Sequence, residues 1–396
     1  MKFHPVHFLL FASLLSICLC FSFYSIVISL SVDRNFGAMK KIFDKQINQS
    51  TRPLKYPNSS SNEIVEANRG VNLVTEENID AEVKRLKLFN CAKELIKDLP
   101  KRKRFPDFIG VGVNKCGTFA LWDALEPHPL IQLRHPYEAK FLNKPEAHLQ
   151  LGLEAYRDSM SEAEELVMVA EKTPGYFNKN LDTPSVVKNL LPDAKLIVIL
   201  CDPVKWVVSN YVFTGAMRKA RGEKLNLFDT RDGFVQFQSQ VILKELKEYN
   251  FDYEPSWEFA KNLTKVIWPH FKYFKNAMYD IHLWRYLQYY NSSNLLVINA
   301  SEMMEDLGGI VEIVQEFLGL PKLLLRSDYV KNPKTGFFCR KDIKTQELSC
   351  LRGSKMRTRN GRFDVLSAES TIALQSFYRP HVARLEKMLN RKMNWW

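Results

Sequence analysis

Four short runs rich in Val, Ile and Leu constrain the fold of this chain more than any other feature: residues 108–113, 166–170, 195–200 and 295–299. Each is apolar almost throughout and is bounded by polar or Pro-containing turns. A strand with one wet face alternates polar and apolar residues, whereas a strand covered on both faces reads as a continuous apolar run, the pattern of a parallel sheet. Helical patterns follow: 119–125 opens a helix behind the first run, and 204–215 and 302–318 read as two more. Ala300-Ser301 is a natural N-cap region and Gly319 a natural stop. The expected fold class is α/β, a central parallel sheet flanked by helices.

Composition sets the scale. With 396 residues and 46% hydrophobic side chains, the chain can bury a full-sized core, read as one large domain with appendages. Ordinary Gly and Pro content excludes a collagen-like or low-complexity chain. Seven cysteines are too few for a dense disulfide scaffold. Lys and Arg outnumber Asp and Glu by 56 to 44, a formal +12, which favours an anionic partner: nucleic acid, acidic lipid, a phosphorylated cofactor or an acidic glycan.

Residues 8–32 carry no charged side chain and are long enough to cross the hydrocarbon layer of a bilayer. They read as a transmembrane signal anchor behind a short cytoplasmic tail, residues 1–7. A cleaved signal peptide is the competing reading, but its apolar region normally stops at about 7–15 residues. Lys2 precedes the span while Arg34, Lys40, Lys41 and Lys45 follow it, so the positive-inside rule alone would put the N-terminus outside. Sequons at Asn48, Asn58, Asn262, Asn291 and Asn299 argue the reverse, because they are usable only if the C-terminal part is lumenal. A lumenal domain also removes nucleic acid as a partner. Residues 33–90 turn polar, with an acidic stretch at 76–82, and read as a flexible lumenal stem before a folded domain at 91–396. The basic run 101–104 is either a solvated charge cluster or a contact to an anionic polymer.

Chemistry gathers where the apolar runs end. After the first comes Asn114-Lys115-Cys116-Gly117-Thr118. A Gly-containing turn into a helix N-terminus offers backbone amides and a positive dipole end to an anion, and Lys115 adds a full charge. A nucleotide triphosphatase needs its lysine directly after the last glycine and before Ser or Thr, and here the lysine comes first, which argues against a magnesium-dependent kinase or ATPase. Taken alone the loop could equally be a plain strand-to-helix turn. The second run ends in Glu171-Lys172-Thr173-Pro174-Gly175-Tyr176-Phe177, and the third in Cys201-Asp202-Pro203, with Lys205, Trp206, Ser209 and Tyr211 beyond. In an open parallel sheet such groups converge on one crevice at the carboxyl ends of the strands.

This combination resembles the sulfotransferase family, and within it the heparan sulfate sulfotransferases of the Golgi, from about residue 105 to the C-terminus. Glu-Lys-Thr-Pro-x-Tyr-Phe at 171–177, and Lys334-Thr-Gly-Phe-Phe-Cys339 with Cys350, look most like glucosamine 3-O-sulfotransferases. The N-deacetylase/N-sulfotransferases are close relatives, but there the sulfotransferase half normally follows a large deacetylase domain that this sequence lacks. The resemblance implies transfer of a sulfuryl group from 3′-phosphoadenosine 5′-phosphosulfate to the 3-hydroxyl of glucosamine in heparan sulfate, without a metal, by a type II Golgi membrane protein. It places Lys115, Cys116, Gly117 and Thr118 at the donor's 5′ end, with Lys172 as a second donor-side lysine. It makes Glu138 the general base, and gives Lys140 and Asn143 acceptor contacts, although the family usually has His and Asp there. Cys201 and Ser209 fall in the 3′-phosphate motif, and Lys355, Met356 and Arg357 in a C-terminal donor element.

The sequence departs from the family pattern at several of these places. Cys201 and Trp206 stand where two arginines are usual, Cys116 and Met356 replace glycines, and Phe119 replaces an arginine. A lost charge-assisted bond costs about 1.5–3 kcal/mol, which is weakening rather than abolition if Lys205 or Arg218 reaches the phosphate. A glycan-binding protein on this scaffold with weak or no catalysis is therefore the second reading, and transfer to another glycan position the third. Cys339 and Cys350 are expected to pair in an oxidising lumen. Cys91, Cys116 and Cys201 have no pairing that spacing justifies. Trp257, Trp268 and Trp284 read as core rather than as sugar platforms.

Overall fold

The computed structural model describes residues 76–143, 152–222, 231–245, 272–342 and 366–396, with 256, 258, 260–261, 345 and 347–350 between them. Its contacts divide the chain into two units, one holding residues up to 100 with 164–166 and 315–323, the other holding the rest.

In the first unit, helix α1 (Glu76–Lys97) begins inside the stretch read as stem, so the expected boundary near residue 90 is corrected. Its charges conceal a helical face: Arg85, Phe89, Ala92 and Ile96 recur at the helical period and are all buried. Arg85 is held by Glu82 and donates from Nη1 to the carbonyl of Leu323 at 3.2 Å. Leu323 in turn donates its N–H to Gln315 Oε1 at 2.9 Å.

In the second unit the four apolar runs are strands: β1 (Phe108–Gly112), β3 (Met168–Lys172), β4 (Lys195–Leu200) and β5 (Leu295–Asn299), joined by a short β2 (Ile131–Leu133). Their order is β2-β3-β1-β4-β5, and every neighbouring pair is parallel. All residues of β1 and β3 are buried; β1 is apolar throughout, whereas β3 also buries Glu171 and Lys172 at its carboxyl end. Helices α2 (Thr118–Leu125), α3 (Gly152–Asp158), α4 (Thr183–Leu190), α5 (Pro203–Ala220), α6 (Tyr279–Leu287), α7 (Ala300–Glu305), α8 (Leu307–Leu318) and α9 (Ala368–Leu389) connect or follow these strands. The helix expected over 302–318 is thus two helices. Asp306 leaves helical geometry with φ −142° and its Oδ1 accepts the N–H of Gly309 at 2.9 Å, starting a new helix. Gly319 follows with φ 78°, the expected stop.

The strand order decides where a ligand can bind. After β1 the chain fills the β3–β2 side and then crosses to β4 on the other, so the loops leaving β1 and β4 diverge and leave a crevice at their carboxyl ends. Gly112, the last residue of β1, permits the close approach of the loop after β3: a Cβ there would lie 2.5 Å from Cβ of Phe177.

A second, antiparallel sheet contains β6 (Tyr329–Lys331), β7 (Phe338–Lys341) and β8 (Leu348–Cys350) in the order β8-β7-β6. Cys350 lies opposite Cys339, and the two form the expected disulfide. The C-terminal residues close over β4 and β5: Asn299 Nδ2 donates to the carbonyl of Met393 at 2.9 Å, Trp395 Nε1 donates to Asn299 Oδ1 at 3.0 Å, and Trp396 Nε1 donates to Asp202 Oδ1 at 3.3 Å. Asn299 is 2% exposed, so the expectation of a glycan there is corrected: its amide is spent inside the fold. Asn291 is exposed. The span 8–32, the sequons at Asn48, Asn58 and Asn262, the donor element Lys355, Met356 and Arg357, and Trp257 and Trp268 lie outside the described residues. Among the described residues no helix is long and apolar enough to cross a membrane.

Because Phe89 is 5% exposed on α1, Phe89→Ala is expected to destabilise its unit by about 3 kcal/mol or more. Chemical denaturation of the full chain, followed by α1-directed hydrogen exchange, measures this. Unchanged protection of 76–97 would show that α1 does not need its buried face.

Candidate active site

Four loops, leaving β1, β2, β3 and β4, bring most of the expected residues together in two groups. The first group forms at the end of β3. Pairing of β2 with β3 continues past the strands: Arg134 donates its N–H to the carbonyl of Ala170 at 2.8 Å, and Lys172 donates to that of Tyr137 at 3.0 Å. The chain carrying Glu138 is therefore an extension of the sheet edge. Lys172 is 3% exposed, with Nζ 5.3 Å from the Phe119 ring and 5.7 Å from the Tyr137 ring. Its charge faces Glu138 Oε1 at 3.6 Å, while Lys140 Nζ lies 3.3 Å from Oε2. Glu138, Lys172 and Lys140 thus form one cluster, with the carboxylate partly open to solvent. Burial pulls the Lys172 ammonium below the ordinary lysine range, and Glu138 partly restores it.

Glu171 holds this group in place, a role that the sequence reading did not assign. It is fully buried, and burial pushes its carboxyl up. Tyr156 on α3 donates to Oε1 at 2.9 Å, and Thr173 Oγ1 and the N–H of Ala139 donate to Oε2 at 2.8 and 3.3 Å. Thr173 Oγ1 also accepts the N–H of Lys140 at 3.0 Å, and Tyr176 OH accepts those of Phe141 and Leu142 at 3.1 and 3.2 Å. The residues on both sides of Glu138 are thereby tied to the motif at 171–177. Asn143 lies against Gly175, where a Cβ would meet its Nδ2 at 2.9 Å.

The second group forms between β1 and β4. Gly117 caps α2 with φ 91°, and Lys115 also takes positive φ, 70°. Thr118 starts the helix and is buried. Lys115 Nζ sits 4.7 Å from the ring centre of Phe213 on α5, and burial lowers its affinity for a proton. Cys116 and Cys201 form a disulfide, so both differ from expectation. Their sulfurs are consumed by each other, and Cys201 offers no charge to a phosphate. Trp206 is 1% exposed and donates Nε1 to the carbonyl of Asn114 at 2.8 Å, so it too is committed to the fold. Asp202 caps α5 by accepting the N–H of Val204 at 2.9 Å. Lys205, one turn before the half-buried Ser209, is exposed and pairs with Asp202 at 3.8 Å.

Such an arrangement can bind an anion at the turn into α2, place a cation on each side of it, and present a carboxylate to a hydroxyl. Residues 105–357 match the Sulfotransferase domain family. The heparan sulfate glucosamine 3-O-sulfotransferase 6 of Mus musculus is 27% identical over 298 residues, 75% of each chain. That of Homo sapiens is 28% identical over 297 residues, again 75% of each. The bifunctional heparan sulfate N-deacetylase/N-sulfotransferase 4 of Mus musculus is 26% identical over 313 residues, which are 76% of this chain and 32% of that protein. The crystal structure of a sulfotransferase from Alicyclobacillus acidocaldarius covers 73% of this chain and 97% of its own, with a TM-score of 0.46 and 21% identity. The family match spans all five strands of the parallel sheet and both groups at their carboxyl ends, and this chain belongs to the sulfotransferase domain family.

Proposed function

We propose that the chain transfers a sulfuryl group from 3′-phosphoadenosine 5′-phosphosulfate to the 3-hydroxyl of glucosamine in heparan sulfate or a related anionic glycan. In this reading residues 8–32 anchor it in the Golgi membrane with the catalytic unit lumenal. One observation carries the proposal: a partly exposed Glu138 carboxylate held beside the buried cation of Lys172. The named relatives act on heparan sulfate, at the 3-O position in two cases and the N position in the third.

The residues present fit the donor unequally. At its 5′ end the left-handed turn at Gly117, the first amides of α2 and the Lys115 ammonium suit a phosphosulfate. At its 3′ end the side chains of Cys201 and Trp206 are committed elsewhere, leaving Ser209 and Lys205. The donor, when bound, supplies the sulfuryl group and a phosphate leaving group. Glu138 accepts the proton of the acceptor hydroxyl as its oxygen bonds to sulfur, and Lys172 and Lys115 stabilise negative charge on the departing phosphate oxygen. Lys140 and Asn143 border the acceptor side.

A second reading, glycan binding without catalysis, is favoured by the commitment of Cys201 and Trp206. Calorimetry with adenosine 3′,5′-bisphosphate separates the two, since a pure glycan binder would take up heparin and not the nucleotide.

Purified full-length protein is expected to transfer labelled sulfate to heparan sulfate, and Glu138→Gln to lower kcat by about 10²–10⁴. No turnover by folded wild type with several acceptors would overturn catalysis, and sulfate found elsewhere in product disaccharides would overturn the 3-hydroxyl assignment. The pH profile adds a check. Burial weakens the hold of Lys172 and Lys115 on their protons, so activity falls as pH rises through a range below that of an ordinary lysine. Full activity maintained beyond the ordinary lysine range would contradict their role as cations. Finally, Glu171→Ala strips three donors of their acceptor and is expected to cost at least about 2 kcal/mol by chemical denaturation, and to lower kcat through Glu138. Normal kcat in a folded Glu171→Ala protein would show that the loop is positioned by other means.

A further inference from the structure

We propose that the Cys116–Cys201 disulfide and Trp206 are positioning residues that lock the anion loop at the end of β1 into its ligand-ready shape before the donor arrives. The donor's identity rests on the function proposed above; the lock is a property of the loop itself.

The loop from Asn114 to Gly117 contains two residues with left-handed backbone, Lys115 with φ 70° and Gly117 with φ 91°. Lysine rarely adopts that region, so a free loop would leave it often. Several contacts prevent this, and most come from β4 and α5. Trp206 Nε1 holds the carbonyl of Asn114 at 2.8 Å, and Asn210 Oδ1 accepts Asn114 Nδ2 at 3.5 Å. The disulfide fixes Cys116 to the first residue after β4. The Phe213 ring takes the Lys115 ammonium at 4.7 Å. From other elements, Tyr279 OH lies 4.0 Å from Cys116 Sγ, and Met303 Cε fills the space where a Cβ on Gly117 would stand, 2.7 Å away.

Cys116 and Trp206 are 3% and 1% exposed, so neither side chain is placed to meet a ligand. What they determine is the path of the backbone that does. β1 and β4 are the neighbours at the switch point, and the covalent bond crosses between the loops that leave them. A crevice that would otherwise have to be ordered by the ligand is ordered by the chain. Fixing one residue's backbone on binding weakens affinity by about tenfold, so a loop fixed in advance spares that loss at each residue it holds.

The test compares the full-length wild type, a Cys116→Ser/Cys201→Ser double variant and Trp206→Phe, which keeps a ring but loses the indole donor. Amide hydrogen exchange at 114–119 without ligand reads the lock directly, and calorimetry with adenosine 3′,5′-bisphosphate, with donor KM and kcat, reads its consequence. The expected result is faster exchange in both variants, and a Kd and donor KM raised about tenfold or more in the double variant, with the loss on KM rather than on kcat. A folded double variant with unchanged exchange and Kd would overturn the proposal. Should the double variant not fold, Trp206→Phe decides it by the same measurements with the disulfide intact. Wild type that fails to bind the nucleotide would overturn the sulfotransferase reading instead, while the ligand-free exchange still decides the lock.

Discussion

A carboxylate with no exposed surface dictates the shape of the loop that carries the proposed base. Removing a charge from water costs several kcal/mol unless nearby dipoles replace the lost hydration. Glu171 obtains them from Tyr156, Thr173 and the N–H of Ala139. The last of these lies beside Glu138, and Thr173 passes the connection on to Lys140. Satisfying a buried group at the end of β3 therefore fixes the backbone on both sides of the proposed base. It also explains why adjacent residues of one strand do different work: Glu171 organises the loop, and Lys172 faces Glu138.

The opposite side of the crevice is organised by other forces. There the anion loop is held by a disulfide, an indole hydrogen bond and an aromatic ring under Lys115. The two sides meet through Phe119 in the first turn of α2, whose ring lies under Lys172. Both lysines are partly desolvated, which weakens their hold on protons but strengthens the attraction of each remaining charge for an anion. Lys172 must stay charged while surrounded by little water, and the aromatic faces of Phe119 and Tyr137 suit that need better than further polar groups would.

What was legible in the sequence follows from which signals are local. The strands at 108, 195 and 295 are read nearly to the residue, because a strand buried on both faces declares itself by composition. β2 leaves no local mark: three residues followed by Arg134-His135-Pro136 give no periodicity, and its strand character comes from pairing with β3. The start of α1 reads as stem because its acidic and basic residues outweigh a narrow face in which a buried arginine occupies one position. The sequon at Asn299 says nothing of burial, which arises only when the C-terminus folds back on β5. Glu138, Lys140 and Lys172 follow from the family resemblance, and the structure clusters them. The support from Glu171 could have been suspected from a carboxylate within an otherwise buried run, but its partners lie as many as 32 residues away in sequence.

The disulfide between the anion loop and β4 shows best where local reading stops. Its cysteines are separated by 85 positions, and nothing in that interval marks them as neighbours. Considered singly, each looks like erosion of a binding motif: one a replaced glycine, the other a replaced arginine. The parallel pairing of β1 with β4 turns them into one feature, since it brings the ends of both strands together. Trp206 has the same character, exchanging a side chain that could reach a ligand for one that reaches Asn114. Three substitutions, two of which seem to subtract charge from the site, in fact add constraint to the loop beside it. Binding free energy can come from more contacts or from less disorder to remove, and at this end of the crevice the residues present supply the second.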